Sequence, residues 1–152
     1  MSAGATFGKG ITGMTKEKIF VTRMRVPDAV ERLRKWFDVE VWPEPTPPPS
    51  TVLIDQAKKC SAILSEADDK IGSAVLSNAG QLRVVANRAI GLDNIDVPAA
   101  TEKGILVGNT PGILHESCAD FTFGLILDVA RNLSYSNKQI VTGEWKFFDQ
   151  TP

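Results

Sequence analysis

The sequence predicts an α/β fold: a five-stranded, doubly wound parallel sheet followed by two C-terminal helices. Three observations predict it. Between Lys18 and Val107, short apolar runs alternate with stretches of helical period, the pattern of strand-crossover-strand units. Glycine, proline and aspartate punctuate the joints between those runs, where turns and helix ends need them. After residue 115 the alternation gives way to long helical periodicity. A length of 152 residues suits a single core with an appendage.

Taken in order, "KIFVTR" predicts the first strand. In "VPDAVERLRKWF" the helical spacing puts Val30, Leu33, Trp36 and Phe37 on one inward face, with Pro27 and Asp28 in the opening turn. "VEVW" predicts the second strand, and the proline-rich stretch 43–50 an extended surface connection whose Ser50 caps the next helix. That helix, "TVLIDQAKKC", turns Val52, Leu53 and Ala57 inward, and "SAILS" is the third strand. "DKIGSAVLSNAG" predicts a short helix closing at Gly80, "LRVVA" the fourth strand, "VPAATEKG" a short helix capped by Asp96 and ending at Gly104, and "ILV" the fifth strand. "ESCADFTFGLILDVARNLSYSNKQIVTGEW" predicts a long helix and a shorter one ending near Gly143, with Trp145 packed at its end. The expected organisation is a disordered tail or extension over 1–17, a sheet domain over 18–115, and helices over 116–152.

Composition narrows the function classes. A formal net charge of -1 supplies no field for gathering polyanions, which argues against nucleic acid. No apolar run reaches the roughly 18 to 20 residues of a membrane span, and the N-terminus lacks a secretory signal, so a cytoplasmic protein is expected. Cys60 and Cys118 are too few and too scattered for a disulfide framework or a metal site. The segment "GATFGKG" is one residue short of a phosphate-binding loop and has Gly10 where that loop needs Ser or Thr.

In an open parallel sheet, ligands settle beyond the carboxyl ends of the strands. Four segments form that rim: Thr22 to Arg25, Ser65 to Lys70, Asn87 to Asn94, and Asn109 to Gly112. Within "NRAIGLDN" the backbone N–H groups of Ala89, Ile90 and Gly91 can form a concavity for a carboxylate, with Arg88 near enough in sequence to add charge. The alternative is a plain turn, in which Gly91 supplies a positive φ and Asp93, Asn94 and Asp96 make local hydrogen bonds. Arg23 and Arg88 are candidate guides for an anion or simply exposed arginines, and Asp68 and Asp69 read as a solvated turn and cap. His115, next to Glu116, reads as a helix-start residue, because adjacent helical residues point in different directions.

The run "LRVVANRAIGLDNIDVPAATEKGILVGNTPGILHESCADFTFGLILDVARN", followed by "VTGEW", resembles the N-terminal part of the D-isomer-specific 2-hydroxyacid dehydrogenases, most closely the glyoxylate and hydroxypyruvate reductases. The likeness covers about residues 18 to 146 and rests on the block Asn-x-x-x-Gly-x-Asp-Asn-Ile-Asp followed by Asn-Thr-Pro-Gly. It implies a flavodoxin-like substrate domain whose loops hold a keto-acid carboxylate against the nicotinamide of NADH or NADPH. By position it implies that the backbone amides of Ile90 and Gly91 grip the carboxylate. Ala67 falls where a larger apolar residue usually stands near the substrate, and Cys118 where a threonine commonly sits near the nicotinamide. The apolar run of the 119–133 helix itself calls for cover on most sides, from a second protomer or a further domain, and a homodimer through that helix is expected.

The resemblance places the catalytic Arg, Glu and His of that family, and its Gly-rich dinucleotide fingerprint, outside these 152 residues, and no G-x-G-x-x-G follows an expected strand among them. The chain alone is therefore expected to be inactive. The competing reading is a non-enzymatic flavodoxin-like module that binds a small acid or regulates a partner.

Overall fold

The computed structural model describes residues 15–146. The stretch 1–14, most of the expected tail, lies outside the described residues, as do residues 147–152. Ordered pairing is present at Glu17, whose carbonyl accepts the Asp38 N–H at 3.0 Å and whose carboxylate pairs with Arg83.

Five strands form one parallel sheet: β1 (Lys18–Val21), β2 (Asp38–Val41), β3 (Ala62–Glu66), β4 (Val84–Arg88) and β5 (Leu106–Gly108). Their order is β2-β1-β3-β4-β5, the flavodoxin-like arrangement in which the chain reverses direction across the sheet between β1 and β3. The crossovers are α1 (Pro27–Arg34), α2 (Ser50–Lys59), α3 (Ser73–Ser77) and α4 (Val97–Glu102).

Alternation along β1 divides the core. Phe20 points into the larger cluster, with Leu53 and Ala57 of α2, Val75 and Leu76 of α3 and Ala100 of α4. Ile19 and Val21 point the other way, onto Val30 of α1 with Phe37, Val39 and Leu64 around them. Burial of a side chain such as Leu53 or Phe20 contributes about 1.5–3 kcal/mol, so these clusters fix which face of each helix turns inward.

Local chemistry sets the helix ends. Asp96 accepts the Ala99 N–H at 3.0 Å, capping α4 as expected, and Gly104 follows that helix at φ +66°. Ser50 is not a cap: it is the first helical residue, preceded by Pro49, and no side chain closes the start of α2. Trp36 departs from the inward face expected of it, being 59% exposed, because α1 ends at Arg34 and the helical spacing stops applying two residues before it.

The chain divides into two compact units between Thr110 and Pro111. The second holds α5 (His115–Arg131) and α6 (Leu133–Val141). They join at Asn132, whose left-handed φ of 51° breaks the helix, and the Asp128 carboxylate then accepts both the N–H and the hydroxyl of Ser134 at 2.7 Å. Gly143, at φ +71°, follows α6. No residue of α5 or α6 is buried, and Trp145 is exposed rather than packed.

Candidate functional site

The rim beyond the strand ends contains two different environments. Where the winding reverses, between β1 and β3, an ion cluster spans the loops. Arg23, following β1, is 4% exposed, and its guanidinium donates to Asp68 at 2.7 Å through Nη1 and to Asp69 at 2.9 Å through Nη2. Asp69 is fully buried and also accepts the Glu66 N–H at 2.7 Å. The hydrogen bonds that Arg23 donates hold the Asp68 carboxyl below its ordinary value, and the same bonds, accepted by the Asp68 carboxylate, raise the Arg23 pKa. Arg23 and Asp69 are therefore not the exposed, solvated groups expected from sequence, whereas Asp68 stays exposed as expected of a turn. Arg23 Nε is buried without a hydrogen-bond partner.

The second environment lies between β3 and β4. Glu66 stands opposite Arg88 in the sheet register, so the loops beginning at Ala67 and Ala89 leave side by side. Arg88 turns back onto Glu66, with Nε at 2.8 Å and Nη2 at 2.6 Å, and that pairing raises its pKa. Its charge is spent there rather than on an anion at the glycine loop. A cleft of about 620 Å³ opens beside the two loops, lined by Ala67, Asp68, Lys70 and Gly72 from one and Asp93 to Asp96 from the other.

The asparagines of this region are scaffold. Asn87 is 2% exposed; its Oδ1 accepts the Ser65 hydroxyl at 3.0 Å while its Nδ2 donates to the Gly91 carbonyl at 3.1 Å and to Asn94 Oδ1 at 3.0 Å. Asn94 donates in turn to the carbonyls of Glu66 and Asp69, at 3.0 and 2.9 Å. These bonds stitch the β3 loop to the β4 loop. From the segment after β5, Asn109 Nδ2 donates to the Ile90 carbonyl at 2.7 Å. The Thr110 N–H and hydroxyl donate to the Ala89 carbonyl at 2.9 and 3.0 Å.

All three carbonyls from Ala89 to Gly91 are thus occupied, whereas none of the hydrogen bonds among the described residues uses the N–H of Ile90 or of Gly91 as donor. Gly91 does not adopt the positive φ of the turn reading. A Cβ there would lie 3.0 Å from Asp93 Oδ2, the end of an exposed side chain that would have to give way.

Of the candidate residues, Ile90 and Gly91 share the β4 loop, and Ala67 sits exposed at the start of the neighbouring loop. Cys118 stands exposed on α5, in the second unit, as a free thiol. His115 is the first residue of α5, as its helix-start reading has it. Sequence reasoning missed Asn87, Asn94, Asn109 and Thr110 as the framework of the loop. The available signal was asparagine four residues before and three residues after a glycine, a pattern suited to side-chain-to-backbone bonding.

The turn after β1 does not fit a nicotinamide dinucleotide. Its pyrophosphate needs a glycine-rich strand-to-helix turn where backbone amides can approach closely. The turn after β1 is Thr22-Arg23-Met24-Arg25, with its arginine tied into the ion cluster.

A model of the D-isomer specific 2-hydroxyacid dehydrogenase catalytic domain matches residues 19–145. A glyoxylate reductase from Aeropyrum pernix is 45% identical over 132 residues, which are 87% of this chain and 39% of that protein. A crystal structure of a protein from Thermus thermophilus superposes with a TM-score of 0.80 at 33% identity, covering 88% of this chain and 43% of that one. A D-lactate dehydrogenase from Aquifex aeolicus, crystallised with NAD and lactic acid, gives a TM-score of 0.73 at 26% identity over 88% of this chain and 39% of that one. The chain spans well under half the length of these relatives. With the family match across most of its length and a relative 45% identical over 87% of it, the chain belongs to the D-isomer specific 2-hydroxyacid dehydrogenases.

Proposed function

We propose that this chain supplies the substrate-binding part of a reductase that converts a 2-keto acid, glyoxylate or hydroxypyruvate, to the D-2-hydroxy acid. The observation that carries the reading is the pair of N–H groups, Ile90 and Gly91, at the carboxyl end of β4, which donate to no acceptor among the described residues. Two adjacent main-chain donors match the two oxygens of a carboxylate without any cationic side chain. Ala67 borders the space for the rest of the substrate, and its small side chain leaves room for the hydroxymethyl group of hydroxypyruvate. Cys118 keeps the place beside the nicotinamide that the resemblance implies.

NADH or NADPH supplies the hydride when bound, and in this proposal both the cofactor and the Arg, Glu and His that orient substrate and deliver the proton are held outside these 152 residues. This chain's own part is to bind and orient the acid. The helix α5 serves a homodimer, in keeping with the exposed Phe121, Phe123, Ile126 and Leu127 along it.

The test is a titration of the 152-residue chain followed by calorimetry. Hydroxypyruvate is expected to bind saturably and hydroxyacetone, which lacks the carboxylate, not to bind; equal affinity for both overturns the reading. With glyoxylate and either nicotinamide cofactor, the chain alone is expected to consume no cofactor above blank. Turnover abolished by His115→Ala would instead place the proton donor in this chain.

A further inference from the structure

We propose that Asn109 and Thr110 are positioning residues that aim the N–H groups of Gly91 and Ile90 by holding the carbonyls at the other end of the same peptide planes. The inference rests on the carboxylate reading above and deepens it.

In a trans peptide the C=O of one residue and the N–H of the next point in opposite directions across a rigid plane. The Ile90 N–H shares its plane with the Ala89 carbonyl, which accepts from the Thr110 N–H at 2.9 Å and the Thr110 hydroxyl at 3.0 Å. The Gly91 N–H shares its plane with the Ile90 carbonyl, which accepts from Asn109 Nδ2 at 2.7 Å. Both candidate donors are therefore fixed from behind by the two residues that follow β5. Rotation of either plane would turn a carbonyl oxygen toward an anion, replacing attraction by repulsion, and each clamp opposes that rotation. Asn109 is exposed and Thr110 only half-buried, so neither is needed to fill the core.

The two clamps are unequal. Loss of the Thr110 hydroxyl leaves the Thr110 N–H in place on Ala89, whereas among the described residues no other donor holds the Ile90 carbonyl once the Asn109 side chain is gone. Asn109 is accordingly the stronger determinant.

The experiment follows the amide resonances of Ile90 and Gly91 in the ¹⁵N-labelled 152-residue chain during titration with oxamate, with sodium chloride at matched ionic strength as control. In the unaltered chain both resonances are expected to shift and saturate. Asn109→Ala should weaken oxamate roughly fivefold, the worth of about one hydrogen bond, and displace the Gly91 resonance before any ligand is added. Thr110→Val should weaken it less, and Thr110→Ser should restore it. Asn78→Ala, which removes a comparable bond to the Ala74 carbonyl on α3, should leave oxamate affinity unchanged. If the unaltered chain responds and Asn109→Ala binds oxamate equally well, the clamp is overturned and the carboxylate reading stands. If Ile90 and Gly91 of the unaltered chain ignore oxamate, the carboxylate reading falls and the clamp falls with it.

Discussion

At the scale of single residues, the strongest constraint on the rim is Arg23. Its guanidinium is enclosed with Asp69, so its removal leaves a buried carboxylate without its partner. Arg23→Met is expected to cost about 3 kcal/mol in urea denaturation, while Asp68→Asn, at a side chain 60% exposed, should cost under about 1 kcal/mol at neutral pH. The pH dependence has a definite sign. Arg23 depresses the Asp68 pKa in the folded state, so its contribution is complete above the ordinary value of 3.8 and is lost as pH falls through the lower folded value. Asp68→Asn should therefore flatten the acid limb of the urea midpoint against pH, and an unchanged limb would contradict that account. Residue roles were legible where they depend on near neighbours, as in the cap from Asp96 to Ala99. They were not legible where partners lie far along the chain: Arg23 meets Asp68 and Asp69 more than forty residues on, and Asn109 meets Ile90 nineteen residues back.

At the scale of elements, the joint between α2 and the turn after α3 shows how tightly two short helices are set. A Cβ on Gly80 would lie 2.7 Å from the Lys58 carbonyl oxygen, a main-chain atom that cannot rotate aside. Gly80→Ala is expected to destabilise the fold by about 1–3 kcal/mol, read as a shift in urea midpoint at constant slope. A neutral substitution would mean that α2 and α3 slide apart freely. Five strands and six helices followed from periodicity, because apolar spacing of two and of three to four residues records which face meets the core. Boundaries were less legible. The first turn of α2 carries no cap despite Ser50, and α1 stops before Trp36, since tertiary packing rather than propensity ends these helices.

At the scale of the whole molecule, the two units differ in how far they stabilise themselves. The sheet unit buries Phe20, Ile63 and Val85 on its central strands, whereas α5 and α6 bury nothing. Amide hydrogen exchange should therefore find β1, β3 and β4 protected at every protein concentration. The proposed homodimer adds that protection of α5 rises with concentration, and that Phe123→Asp abolishes the rise. Protection of α5 that is independent of concentration would argue against that association. The sheet ends at β2 and β5, strands of four and three residues. Borders this short offer an incoming chain only a few main-chain bonds, too few to template fibre growth, so the fold guards itself against amyloid by brevity, with Asp38 and Glu40 adding charge along β2.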